Sequence, residues 1–115
     1  MAKGSPERDY QRTLVATLEA VGYRVCWVRP VFDAKAKRWL TPTTAEGWPD
    51  LTAVGVAPRV AGAVLAIEVK SERGRATPQQ LDWLRWWHAV PSAAAMRLRP
   101  RDPWALTASM FQQPA

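Results

Sequence analysis

The chain has no asparagine and only one histidine and one cysteine among its 115 residues. These shortages exclude whole classes of chemistry. His88 and Cys26 alone cannot build a zinc site of several His or Cys ligands, and a His-Asn-His nuclease centre cannot be assembled without asparagine. Cys26 has no second thiol for an internal disulfide, which fits a reducing compartment, and on a strand it reads as a small buried hydrophobe. The phosphate-cradling GxxxxGK[ST] loop and the GxSxG nucleophile elbow are missing, so a P-loop nucleotide hydrolase or an ordinary serine hydrolase is not expected. No apolar run approaches the length that spans a bilayer. The opening MAKGSPERDYQRT carries no apolar signal core, and a cytoplasmic protein with no membrane partner is expected.

What is present is a 48% apolar chain, enough to bury one compact core but not two. Residues 1–115 are therefore read as one domain, with a short polar tail at 1–4 and a flexible end at 112–115. Sixteen Lys and Arg against ten Asp and Glu leave a formal charge of +6, a balance that suits a polyanion such as DNA. With histidine, cysteine and nucleophile motifs set aside, carboxylate chemistry remains.

Ser5-Pro6, Thr77-Pro78 and Asp102-Pro103 share one punctuation: a residue that can cap a helix, then a proline that gives up only an amide without an intrahelical partner. Three helices are predicted, over 6–20 with Gly22 as its stop, from Pro78 with Leu81, Leu84 and Trp87 or His88 on one stripe, and over 103–110. Strand signals fall at 23–29, 51–56, 63–70 and, more weakly, 94–99. The predicted class is α/β in the order α-β-β-β-α-β-α, a mixed sheet flanked by helices, with a long loop over 30–48.

The middle hairpin holds the informative geometry. If strands 51–56 and 63–70 pair antiparallel around a turn near Arg59, Asp50 falls opposite Glu68. Alternation along the strand then sends Ile67 and Val69 to one face and Glu68 and Lys70 to the other. Asp50, Glu68 and Lys70 converge. Two close carboxylates repel unless a cation lies between them, and oxygen ligands of this kind suit Mg²⁺ or Mn²⁺.

These residues also resemble a known family. Pro49-Asp50 followed by Glu68-Val69-Lys70 is similar to the PD-(D/E)XK nuclease signature, and GWPDLTAV followed by AIEVKSERGRATPQQLDWL resembles its VRR-NUC branch, a Holliday-junction-resolvase-like group often found in bacteriophages. The resemblance runs from about Ser5 to Arg99. It implies a restriction-endonuclease-like fold and metal-dependent endonucleolytic cleavage of DNA, with branched DNA as one substrate class, in a bacterial or phage-infected cytoplasm. It implies further that Asp50 and Glu68 ligate Mg²⁺ or Mn²⁺, that the Val69 carbonyl adds an oxygen, that Lys70 is the catalytic lysine, that Glu7 reaches the metal through water, and that Gln80 faces the site.

Plain roles stand beside the functional ones. Pro49-Asp50 fits a turn start, Lys70 a solvated strand end, Glu7 a favourable acid in a first helical turn, Gln80 a polar residue of an opening turn, and His88 a helix face. An acid inside AVLAIEV, by contrast, needs a reason to be buried. Arg73 and Arg75, with Lys35, Lys37 and Arg38 in the long loop, are placed to grip phosphates or simply to be solvated. Arg97, Arg99 and Arg101 would extend that basic track. Trp83, Trp86 and Trp87 cover more than one helix face, which allows a homodimer contact, base stacking or core filling. Two competing classes are a non-catalytic nucleic-acid-binding module on the same fold and an assembly protein that uses the tryptophan helix.

Overall fold

The computed structural model describes residues 6–41, 44–71 and 74–100, with the Pro6 and Glu7 side chains outside that description. In chain order its elements are α1 (Pro6–Val21), β1 (Tyr23–Trp27), β2 (Val31–Asp33), β3 (Arg38–Leu40), β4 (Leu51–Gly55), β5 (Val64–Val69), α2 (Pro78–His88) and β6 (Ala93–Leu98). The class is α/β with a mixed sheet. Strands β1, β4, β5 and β6 form it in that spatial order, antiparallel except for the parallel pair β5 and β6. A parallel neighbour needs a crossover, and α2 supplies it.

Leu14 and Leu18 bring the apolar stripe of α1 onto the sheet, where both are fully buried with Leu51, Leu65, Ile67 and Val69. Gly22 ends the helix as expected: its amide donates to Leu18 and Glu19 carbonyls at 3.1 and 3.2 Å, and its φ of 122° is open to glycine. A Cβ there would also come within 2.3 Å of the Ala57 Cβ. Helix α2 lies against β5 and β6, on the opposite face, since its Trp87 shares a concavity with Cys26, Val54 and Val64. Its start is a capping box: the Gln80 amide donates to Thr77 Oγ1 at 3.2 Å while the Thr77 amide donates to Gln80 Oε1 at 2.8 Å.

Three expectations need correction. The stretch 30–48 is not a structureless loop, because β2 and β3 form a separate two-stranded hairpin within it. Its sequence showed no inward period since both strands are short and stand largely in solvent. The element order therefore gains two strands between β1 and β4. Cys26 is exposed: β1 turns Tyr23 to the core, and Cys26 looks out on the more open face. Leu81 is 41% exposed and α2 has no fully buried residue, so its apolar stripe makes a partial contact. The third helix, over 103–110, and Arg101 lie outside the described residues.

Candidate active site

Register decides whether the acids meet. Leu51 pairs with Ile67, Thr52 with Ala66 and Val54 with Val64, the pairing that a turn near Arg59 requires. Asp50 precedes this ladder by one residue and Glu68 follows it by one. The Asp50 carbonyl accepts from the Val28 amide at 2.9 Å, and Asp50 Oδ2 accepts from the Val69 amide at 2.8 Å. Asp50 is thus fastened on both sides at one end of the sheet. The Lys70 amide donates to the Leu98 carbonyl at 2.9 Å, which fixes the last turn of the site to β6.

Glu68 is 1% exposed, and neither carboxylate oxygen has a well-aligned hydrogen-bond donor. Its Oε2 lies 3.0 Å from Lys70 Nζ as an ion pair. Burial, and then the charge of Asp50, push the Glu68 carboxyl up to about 8, against the opposing pull of Lys70. Burial raises Asp50 as well, offset in part by the Val69 amide, Glu68 and Lys70. Both acids therefore sit where ionisation is unfavourable without a further positive charge. One lysine is not enough for two buried carboxylates.

No match to this chain is found among family models, curated proteins or solved structures.

The loop that delivers Asp50 is held by aromatic packing. Trp48 meets Trp83 and Trp87 edge to face at centroid distances of 5.0 and 5.5 Å, and Trp83 meets Trp86 at 5.1 Å. The Trp83 indole donates to the Glu46 carbonyl at 3.0 Å. Much of the tryptophan content of α2 is thereby explained as a clamp on residues 46–48, though Trp86 remains 58% exposed. Gly47 completes the clamp: its φ is 88°, and a Cβ would come within 2.5 Å of the Gln79 backbone. Gly47→Ala is expected to cost roughly 1–3 kcal/mol and to loosen the segment that carries Asp50, read as a lower urea midpoint.

Gln80 has a structural task in the capping box, and it also lines a cavity with Asp50, Glu46 and Trp48. His88 is an exposed residue of the last turn of α2. The structure does not bring the basic candidates into this cavity. Arg75 is exposed, Lys35, Lys37 and Arg38 stand in solvent at the far end of the β2–β3 hairpin, and Arg73 is outside the described residues. Arg99 instead donates to the Ser71 carbonyl, a brace on the chain just after Lys70. Sequence reasoning missed a second, larger concavity lined by Arg8, Arg12, Trp27, Arg29 and Trp39. Its signal lay at the end of YRVCWVR, where Trp27 and Arg29 stand two residues apart.

Proposed function

We propose that this chain is a metal-dependent nuclease of the restriction-endonuclease-like type, hydrolysing DNA phosphodiester bonds with Asp50, Glu68 and Lys70 at its centre. The observation that carries this reading is Glu68, a carboxylate 1% exposed beside a second carboxylate, with the Lys70 ammonium as its one cationic partner among the described ion pairs. A native fold tolerates such a group where a proton or a bound cation satisfies it.

The donor set fits Mg²⁺ or Mn²⁺. Asp50 and Glu68 would hold the ion, with the Val69 carbonyl as a further oxygen and Glu7 acting through water. Among the described residues no group of three or more His, Cys, Asp and Glu is placed to ligate a metal, and Mg²⁺ is the ion that makes do with one or two carboxylates and keeps several waters. When bound, such an ion supplies Lewis-acid stabilisation of the phosphate and lowers the pKa of water. The chain's own residues do the rest. Asp50 and Glu68 present oxygens from two adjacent strands, with Asp50 oriented by the Val69 amide. Lys70, only 14% exposed along its side chain, sets a fixed positive charge where a phosphate gains negative charge in the transition state.

The test is direct. Purified protein with Mg²⁺ or Mn²⁺ is given linear duplex, single-stranded, flapped and four-way DNA, with Asp50→Ala as control. Cutting that needs the metal and is lost in Asp50→Ala supports the reading. DNA binding that is indifferent to metal, with no cutting of any substrate, would point instead to a binding module.

A further inference from the structure

The β2–β3 hairpin lies outside the main sheet, yet it carries apolar side chains into solvent. Val31, Phe32, Trp39 and Leu40 are 58%, 51%, 59% and 37% exposed. A two-stranded hairpin is marginal on its own, and an exposed aromatic pair on one marks a contact surface. Phe32 meets Trp39 edge to face at 5.4 Å, and the guanidinium of Arg8, reaching from α1, lies 5.9 Å from the Trp39 ring centroid.

Across the concavity, Arg29 sits over Trp27 at 4.9 Å. The Trp27 indole donates to Gln11 Oε1 at 2.5 Å, and Gln11 is itself 8% exposed, so this wall is oriented from beneath. The groove has a volume of about 720 Å³ and is lined by Arg8, Arg12 and Arg29 and, among the described residues, by no acid, although Arg12 is ion-paired at 3.9 Å with Asp9 outside the lining. Val28 and Pro30 border both this groove and the cavity that holds Asp50 and Gln80. The two concavities are neighbours at that edge.

We propose that this groove holds a single-stranded nucleic-acid segment, with its phosphates on Arg8, Arg12 and Arg29 and an unpaired base stacked on Trp39. Arginine charge and an accessible indole face are the two elements by which proteins bind strands whose bases are free. A base within a duplex is already stacked on its neighbours and offers no face to Trp39. The strand would pass over Val28 and Pro30 towards Asp50. This last step rests on the nuclease reading and selects substrates with unpaired nucleotides next to the scissile phosphate; binding in the groove does not depend on it.

The experiment is fluorescence anisotropy of the full chain in EDTA with a fluorescein-labelled dT20 strand and a 20-base-pair duplex. The strand is expected to bind more tightly than the duplex. Trp39→Ala should weaken strand binding roughly tenfold and leave duplex binding unchanged, and Arg29→Ala should reduce the steepness of the salt dependence by about one phosphate contact. Equal affinity for strand and duplex, or unchanged strand affinity in both folded variants, would overturn the proposal. So would sedimentation showing that Trp39→Ala only converts a dimer to a monomer, since the hairpin would then serve a second copy of this chain. Strand binding with no metal-dependent cutting would leave the groove assigned and the nuclease reading wrong.

Discussion

Lys70→Ala is expected to lower metal-dependent DNA cleavage roughly a hundred- to a thousandfold, with far-UV circular dichroism unchanged. The side chain bears the one positive charge within 4.0 Å of Glu68 among the described ion pairs, at 3.0 Å. Its removal has two consequences. In the proposed mechanism the site loses the fixed charge that would meet the phosphate as it becomes more negative, and Glu68 loses the pull that opposes burial and Asp50. The first effect belongs to the transition state, so kcat and kcat/KM should fall together while KM changes little. Asp50→Asn and Glu68→Gln should reduce cutting to background by a different route, because each would delete the charge of a proposed metal ligand and should weaken Mn²⁺ binding. Lys70→Ala should retain the ion. Cleavage at the wild-type rate by folded Lys70→Ala would remove Lys70 from the mechanism.

The convergence of Asp50, Glu68 and Lys70 was legible because one short turn and a period of two determine it. Between Leu51 and Ile67 every pair follows the expected register, and a slip of one residue would have turned Ile67 and Val69 away from the core. Helix starts at Pro6 and Pro78 were legible for a similarly local reason, the fixed φ and missing amide of proline. The β2–β3 hairpin was not. Its strands are three residues each, too short for alternation to be seen, and its turn depends on Asp33 Oδ1 accepting from the Lys35 and Ala36 amides and on Lys37 at a φ of 54°. The groove escaped notice because it joins α1, the end of β1 and β3, which no spacing in the sequence brings together. Composition flagged the tryptophans, but their clamp on residues 46–48 is a tertiary contact between a loop and a helix more than thirty residues apart.

Glu68 gives the second large effect, on stability. With Mg²⁺ and Mn²⁺ removed, the wild-type protein is expected to lose stability relative to Glu68→Gln as pH rises from about 5 to 8. In the unfolded chain this carboxyl releases its proton near 4.5, whereas burial and the Asp50 charge hold it to about 8 in the native protein. Between those values the native state binds the extra proton, so unfolding becomes more favourable with each step in pH. The contribution is fully present below the unfolded pKa and is lost as pH approaches the folded one, a difference on the order of a few kcal/mol. Urea midpoints of the two proteins at pH 5, 6, 7 and 8 measure it directly. Metal should reverse the trend. A divalent ion must displace the Glu68 proton at pH 5 but meets an ionised site more readily at pH 8, and an ion at a hundred times its dissociation constant adds about 2.7 kcal/mol to the native state. Mn²⁺ should therefore raise the wild-type midpoint most at pH 8 and leave Glu68→Gln nearly unmoved. Parallel pH profiles for the two proteins, with equal responses to Mn²⁺, would show that Glu68 is neither the protonated acid nor the ligand.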